Sequence, residues 1–178
     1  MFSRAGYEGA SMRDIAAEAG MSVGGVYQFF SGKDDLYLAV LEDVWDAYQT
    51  AVGPALAETG FDARIRAFTR ASGAFFAERR AFLSVYITER SRFTAAFHDR
   101  LAQVVERHKR ARRRQVTEIM KLGMAEGVLR ERDPEMLASA YLGLVSQCHT
   151  DALAARRAAL PSPDALVSMF CHGVVHRA

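Results

Sequence analysis

The placement of the prolines most constrains what this chain can fold into. Pro54, Pro134, Pro161 and Pro163 all fall between segments whose apolar residues recur at helical spacing. The stretches between them are rich in Ala, Leu, Glu, Arg and Met, which favour helices. We find no run of alternating β-branched residues bounded by turns, and no repeat of fixed period. The sequence therefore predicts an all-α protein and argues against parallel-sheet enzyme folds.

Length and composition narrow the class of protein. A chain of 178 residues can bury one sizeable core, or join a small module to a larger one. Cys148 and Cys171 are too few for a disulfide framework and lack the spacing of a zinc site. No apolar run reaches the roughly 18 residues that span a bilayer, and no secretory leader is evident. We expect a soluble, cytoplasmic protein without a metal or cofactor.

Charge is divided unevenly along the chain. Residues 1–51 contain three basic and eight acidic side chains, a net charge of −5, whereas the remainder contains 20 basic and 13 acidic, a net charge of +7. Much of the positive charge lies in the basic run, residues 107–114. This run has two interpretations, an electrostatic footprint for nucleic acid or the solvated face of a long helix. We favour the solvated face.

The first thirty residues carry signals for two short helices. Ser11, three residues before Asp14, resembles a capping box. The helix that follows ends at Gly20, a residue suited to a left-handed C-terminus. Ser22 then caps a second helix from Val23 to about Phe30. Two short helices around a glycine-containing turn predict a helix-turn-helix.

Residues 6–41, GYEGASMRDIAAEAGMSVGGVYQFFSGKDDLYLAVL, closely resemble the DNA-binding segment of TetR-family repressors. The remainder of the chain resembles the family only in helical pattern and length. The resemblance implies that the second helix crosses the DNA phosphates and that the third enters the major groove. The matching positions are Gly6, Tyr7, Ser11, Ile15, Ala16, Ala19, Gly20, Ser22, Gly24, Val26, Tyr27, Phe30, Lys33 and Leu36.

Gly24 and Gly25 stand where the recognition helix should begin. Each is less favourable in a helix than alanine by about 1 kcal/mol. A missing Cβ lets backbone N–H groups approach a phosphate closely, although a tight helix crossing would also explain the pair. Ser11 and Ser22 could each bond a phosphate as well as capping a helix, or could act as caps alone.

The resemblance assigns Tyr27 and Lys33 to phosphate contacts, with a half-buried core position as the alternative for Tyr27. Gln28 is the best candidate for reading a base, because a primary amide can pair with adenine in two places. Val23 can touch only a thymine methyl or the sugar-phosphate wall. Phe29 replaces the histidine or polar aromatic that the family often has, which weakens the case for a phosphate contact there, and we include it in the DNA-facing set.

The family's first helix would need about fifteen residues before Gly6, and only residues 1–5 precede it here. We interpret this helix as truncated. Met12, Val26 and Phe30 are then expected to lose much of their apolar cover.

The rest of the chain predicts a series of longer helices. A helix over 33–51 ends at Gly53-Pro54, and another spans about 62–80. In the segment 94–126 the basic run interrupts the apolar stripe, which predicts a kink or two helices. Further helices begin at Pro134 and Pro163, the last running nearly to Ala178. The resemblance implies a DNA-binding domain with its connecting helix over 1–51 and a ligand-binding and dimerisation domain over 52–178.

The segment 137–148 is apolar almost all round and must be covered on every side. A second copy of the chain is the simplest cover, and the pattern resembles the family's four-helix dimer interface. Such a dimer would match a pseudo-palindromic operator. The predicted interface residues are Leu142, Val145, Val167, Phe170, Cys171 and Val174.

The aromatic and sulfur-rich interior suits an apolar cavity of the kind the family uses for effectors, although such residues also build ordinary cores. Polar groups at Tyr86, Glu89 and Gln147 could orient a ligand if they face inward. The predicted lining comprises Phe68, Phe75, Tyr86, Glu89, Met120, Met124, Tyr141, Gln147 and Cys148.

The sequence thus predicts a repressor that a small hydrophobic effector releases from double-stranded DNA. An effector in the body would move helix 33–51 and change the spacing of two recognition helices from the roughly 34–36 Å of one DNA turn. A dimeric helical binding protein without a DNA role is the alternative. An enzyme is disfavoured, because neighbouring pairs such as Cys148-His149 and Cys171-His172 point about 100° apart on a helix and no catalytic motif occurs.

Overall fold

The computed structural model describes residues 1–82, 85, 93–154 and 162–173. Helices are the regular elements of this part of the chain, and no strand occurs in it. The predicted all-α fold is confirmed. The helices are α1 (Phe2–Ala5), α2 (Met12–Glu18), α3 (Val23–Tyr27), α4 (Lys33–Leu56), α5 (Phe61–Glu78), α6 (Ala95–Ala125), α7 (Pro134–Ala154) and α8 (Pro163–His172).

Two predicted helix starts are formed as expected. Asp133 Oδ1 accepts a hydrogen bond from the backbone N–H of Glu135 at 2.9 Å, and these two residues flank Pro134. Ser162 Oγ accepts from the N–H of Ala165 at 3.4 Å. In both cases a short polar side chain satisfies a first-turn N–H that has no partner within the helix.

Helix α4 is longer than predicted, because it continues through Pro54 to Leu56. Proline costs a helix one backbone hydrogen bond and crowds the preceding turn. Here it lies in the last turn, where Val52 and Ala55 are both buried. Packing of this turn therefore outweighs the local preference for ending the helix before Pro54.

Helix α6 is a single element of 31 residues, so the predicted division into two helices is wrong. Its buried positions follow one another at spacings of three and four through the basic run. Within that run His108 and Arg112 are buried, so the solvated-face interpretation fails for these two residues. The buried stripe comprises Phe97, Leu101, Val105, His108, Arg112, Val116 and Ile119.

Helix α8 ends earlier than predicted. It stops at His172, and Gly173 follows with a φ of 75°. A left-handed residue closes a helix, and glycine adopts this conformation without strain. The predicted interface residue Val174 lies outside the described residues.

The chain forms two compact units, and α4 and α6 contribute residues to both. The first comprises Met1–Ala47 and Arg79–Arg107, and the second comprises Tyr48–Glu78 and His108–Ala178.

The core of the first unit is built on aromatic rings. The Tyr37 ring contacts those of Phe2 and Tyr7 at centroid distances of 5.1 and 5.3 Å. Val26 is buried in the same core, so the expected loss of cover is wrong for this residue, while Met12 and Phe30 are half-buried. Phe2 of the short helix α1 supplies part of the cover.

The core of the second unit lies where α5 packs against α8 and α8 against α7. Its fully buried side chains include Phe61, Ile65, Phe68, Val116, Ile119, Met120, Tyr141, Val145 and Val167. Within the described ranges, no helix is both long enough and apolar enough to cross a membrane.

Candidate nucleic-acid interface and buried ligand region

The two predicted serine caps of the helix-turn-helix are formed. Ser11 Oγ accepts from the N–H of Asp14 at 3.1 Å and donates to its carboxylate. Ser22 Oγ accepts from the N–H of Gly25 at 3.0 Å. Both serines are exposed. The Ser11 hydroxyl proton is therefore already engaged within the chain, whereas Ser22 keeps an O–H that can donate to an external acceptor.

The surroundings of the glycine pair argue against a tight helix crossing. A Cβ at Gly24 would meet no heavy atom of the described residues within 4 Å, so no contact with this part of the chain requires glycine there. A Cβ at Gly25 would lie 3.1 Å from Ser22 Oγ, which belongs to the cap itself. The space beside Gly24 is open, so a large partner can approach the backbone closely there.

Several side chains of the predicted DNA-facing set are exposed in α3 and just after it. Tyr27 is 51% exposed, which argues against the half-buried core position that was the alternative for this tyrosine. Phe29 is 71% and Val23 39% exposed, and Gln28 is exposed at the end of α3. Exposed apolar side chains within a few residues of one another are typical of an interaction surface.

Lys33 at the start of α4 is half-buried and bonded within the chain. Its Nζ donates to the Tyr7 carbonyl at 2.9 Å and lies 4.4 Å from the centroid of the Tyr7 ring. The Tyr7 hydroxyl donates to Asp34 Oδ1. Burial and, next, this carboxylate raise the pKa of Tyr7 well above its usual range, so its phenol remains a donor. Lys33 thus anchors the helix-turn-helix to α4 and has further N–H donors for a phosphate.

Ion pairs join α4 to α6 within the first unit. Arg100 donates to Asp35 and Arg107 donates to Glu42, so the two pairs are one heptad apart on both helices. Hydrogen bonds from Ser31 and then Arg100 lower the pKa of Asp35. Sequence reasoning missed these pairs, since residues 65 positions apart give no local signal.

The predicted ligand-lining residues divide into buried and outward-facing groups. Phe68, Phe75, Met120 and Tyr141 are buried in the second unit, and Met124 and Cys148 are half-buried. Gln147 does not meet the condition for orienting a ligand, that it face inward, in the single chain. Its side chain is exposed and donates to Asp151 at 2.7 Å. Tyr86 and Glu89 lie outside the described residues.

Tyr141 lies at the meeting of α5, α7 and α8. Its hydroxyl is hydrogen-bonded to Thr69, and its ring centroid is 4.9 Å from that of Phe170. Burial raises the pKa of Tyr141 to about 12. These contacts place Tyr141 in the packed core of the second unit.

The predicted dimer-interface residues are partly covered within one chain. Val145 and Val167 are 2% and 0% exposed, which contradicts their placement on a face left for a second copy. The physical reason is that α5 and α7 both pack against α8, and these contacts supply the cover that the sequence pattern left unassigned. Leu142, Phe170 and Cys171 are half-buried and keep accessible surface.

Sequence reasoning missed a buried arginine in the second unit. Arg112 is 8% exposed, and its Nη1 donates to Ser146 Oγ at 3.3 Å. Its guanidinium carbon lies 5.5 Å from the centroid of the Phe76 ring and 5.9 Å from that of Tyr48. The Nε and Nη2 atoms are shielded from solvent and have no hydrogen-bond partner among the described residues.

His149 of α7 lies beside the same rings. Its ring centroid is 5.8 Å from that of Phe76, and its Nδ1 is buried without a partner. Burial and, next, the charge of Arg112 lower the pKa of His149 to about 4, so the ring is neutral at neutral pH. For Arg112, the sequence did contain a signal of burial. Arg112 lies four residues before Val116 and seven after Val105 on α6, at the spacing of the buried face.

The architecture is that of a helix-turn-helix protein with a helical body. A model of bacterial regulatory proteins of the tetR family matches residues 1–40, and a model of tetracyclin repressor-like C-terminal domains matches residues 58–150. The chain belongs to the TetR family. It is a transcriptional regulator with a DNA-binding helix-turn-helix.

The chain is also similar over a short segment to one curated helix-turn-helix regulator. The HTH-type transcriptional regulator HbdR of Aromatoleum sp. (strain CIB) is 38% identical over 52 residues, which cover 29% of this chain and 23% of HbdR. The match thus spans less than a quarter of the length of HbdR.

Two solved structures share the fold across almost the whole chain. Bacillus subtilis FadR, in complex with stearoyl-CoA, has a TM-score of 0.80 at 13% identity, covering 98% of this chain and 94% of FadR. AibR, in complex with isovaleryl coenzyme A and operator DNA, has a TM-score of 0.65 at 21% identity, covering 95% of this chain and 89% of AibR. At these identities the likeness concerns the fold alone.

Proposed function

We propose that this regulator is a repressor that binds its operator as a homodimer and releases it when a small hydrophobic effector binds in the body. The observation that carries the DNA-binding part is the surface around α3. Gly24 is open to solvent, and Tyr27, Gln28 and Phe29 are exposed beside it. An apolar face with an amide and a phenol suits a groove edged by phosphates.

The proposed contacts follow from exposure and hydrogen bonding. Ser22, Tyr27 and Lys33 contact phosphates, since each retains an O–H or N–H donor. Gln28 reads a base edge, with Val23 against a thymine methyl or the groove wall. Ser11, Gly25 and Phe29 complete the surface, with Ser11 acting chiefly as a cap because its hydroxyl is bonded to Asp14.

The proposed division of labour gives DNA binding to residues 1–51 and ligand binding and dimerisation to residues 52–178. Helix α4 carries the signal, because it holds Asp35 and Glu42 in the first unit and Tyr48 in the second. Dimerisation uses the accessible surfaces of α7 and α8, among them Leu142, Phe170 and Cys171. Acyl compounds are the first effectors to test, since FadR and AibR were solved with acyl-CoA molecules.

Selection of bound sequences from random duplexes tests the proposal. We expect enrichment of a pseudo-palindromic site whose affinity falls steeply with salt, since phosphate contacts release counterions. Acyl compounds should then displace the selected duplex. Absence of any enriched sequence, with ligand binding retained, would instead support a helical binding protein without a DNA role.

A further inference from the structure

We propose that the second unit binds an amphipathic carboxylic acid, with the carboxylate held by the guanidinium of Arg112 and the apolar part among the neighbouring aromatic rings. The inference rests on the proposed function only in taking this unit as the effector-binding body. It adds the chemical class of the ligand and the residue that recognises its charged end.

The first argument is the uncompensated charge of Arg112. Its side chain is more than nine-tenths buried, and a guanidinium keeps its proton under all ordinary conditions. Buried charges in proteins are normally paired, because desolvation of an isolated ion is costly. No aspartate or glutamate among the described residues pairs with Arg112, and the rings of Tyr48 and Phe76 offer only partial compensation.

The second argument is which atoms of the guanidinium lack partners. Nη1 is bonded to Ser146, whereas Nε and Nη2 are buried and unbonded. Nε–H and one Nη2–H project from the same edge of the guanidinium plane. This edge matches the two oxygens of a carboxylate, which can accept two parallel hydrogen bonds from it.

Further unpartnered polar atoms belong to the same unit. His149 Nδ1 is buried without a partner, and its ring contacts Phe76, over which Arg112 also lies. Gln115, one turn along α6 from Arg112, donates to Gln49, and this pair leaves Gln49 Nε2 and Gln115 Oε1 buried and unbonded. Such groups in one region are rare in proteins and are ordinarily satisfied by a water or a ligand.

The surroundings favour a carboxylate with an apolar tail over a phosphate. The Tyr48 ring stacks on Phe76 at 5.6 Å and contacts Phe75 edge-on at 5.3 Å, which provides an apolar wall beside the cation. A phosphate dianion would bring two charges to the single guanidinium of this cluster, since His149 is neutral. One carboxylate matches the one free edge in both charge and number of acceptors.

Isothermal titration calorimetry of the full chain without DNA tests the inference. The probes are butanoate, octanoate and dodecanoate, each compared with its amide, which has nearly the same shape and no charge. We expect the best-fitting carboxylate to bind at least about tenfold more tightly than its amide, because only the carboxylate pairs with a buried cation. Arg112→Met should abolish this difference while the amide binds as before.

Arg110→Gln is the matched control, since Arg110 is an exposed arginine of the same helix and should leave the preference intact. Arg112→Lys serves if Arg112→Met does not fold. It keeps the charge but loses the two-donor edge, so the preference for carboxylate should shrink without vanishing. Equal binding of acid and amide, binding of neither, or a preference that survives in Arg112→Met would overturn the inference.

A separate measurement distinguishes failure of this inference from failure of the proposed function. The carboxylate is added to the complex with the selected duplex. Binding that depends on Arg112 but leaves the duplex bound contradicts release by this effector and leaves the ligand class standing. Release of the duplex by acid and amide alike contradicts the role of Arg112 and leaves the repressor standing.

Discussion

The phenol of Tyr27 is the most selective single group with which to test the DNA-facing surface. Tyr27→Phe removes one exposed hydroxyl and should leave the fold unchanged. We expect affinity for all duplexes to fall by about fivefold, the loss of one hydrogen bond worth about 1 kcal/mol. Fluorescence anisotropy with specific and random duplexes measures this. A loss confined to one sequence would show that Tyr27 reads a base, contrary to the proposal.

Lys33 is a less selective probe, because its Nζ also bonds the Tyr7 carbonyl. The family resemblance predicted a phosphate contact for Lys33. It did not predict the bond to Tyr7, which joins residues 26 positions apart. Replacement of Lys33 would therefore alter the first unit as well as any phosphate contact.

Gln28 is proposed to read a base rather than a phosphate. Gln28→Ala should relax the preference at one base position of each half-site by about 1–3 kcal/mol and leave binding to random DNA nearly unchanged. Repeating the duplex selection with this variant measures the preference position by position. An identical enriched sequence would remove Gln28 from the reading set.

His149 gives the protein a specific acid sensitivity. Its pKa is about 4 in the fold and 6.5 ordinarily, so the unfolded chain binds more protons between these values. The stabilisation from neutral His149 is complete above the ordinary pKa and is lost as the pH falls toward about 4. The free energy of unfolding should therefore decrease on acidification by up to about 3 kcal/mol from this group.

Denaturant titrations of wild type and His149→Gln between about pH 7 and pH 4 isolate this contribution. Carboxylates affect both proteins alike, so the unfolding free energy of wild type should fall relative to that of the variant as the pH falls. A constant difference over that range would mean that His149 titrates normally in the fold.

At the scale of elements, helix α3 contains two glycines, which have low helix propensity, and its surface at Gly24 is open. Gly24→Ala should stabilise the free protein by up to about 1 kcal/mol, since a Cβ there meets nothing within 4 Å. Affinity for DNA should nonetheless fall by at least about fivefold, because the added methyl group keeps the backbone from the phosphate. Thermal unfolding and anisotropy measure the two effects.

Gly53→Ala is the matched control for this prediction. Gly53 lies in α4, is exposed, and also has no heavy atom within 4 Å of a built Cβ. Because Gly53 precedes Pro54, whose ring crowds a Cβ on the preceding helical residue, we expect no gain in stability, and DNA affinity should be unchanged. Unaltered DNA binding in Gly24→Ala would exclude a close backbone approach at α3.

Helices α2 and α6 show which features of a helix could be predicted from the sequence and which could not. The start of α2 was predicted correctly, because Ser11 and the N–H of Asp14 are three residues apart and need nothing else. The continuity of α6 was not, because a hydrophobic pattern treats Arg112 as polar. In the fold its guanidinium lies over the rings of Tyr48 and Phe76, so arginine occupies a core position without breaking the helix.

At the scale of the whole molecule, a two-fold dimer implies a fixed operator geometry. Inserting about five base pairs, half a turn, between the half-sites should lower affinity to that of one half-site, because the second recognition helix then faces the wrong side of the DNA. Anisotropy with the altered duplex and sedimentation velocity of the free protein check the geometry and the dimer. Undiminished binding to the altered duplex would contradict rigid two-site recognition.

The sequence by itself determined the all-α class, the helix-turn-helix and the family, because caps, turn glycines and helical periodicity act between residues a few positions apart. Only the tertiary structure decided which faces are covered. It buried Val145 and Val167 within one chain, turned Gln147 outward and placed Arg112 among aromatic rings. Burial depends on which helix packs opposite, and the periodic pattern of one helix does not show which helix that is.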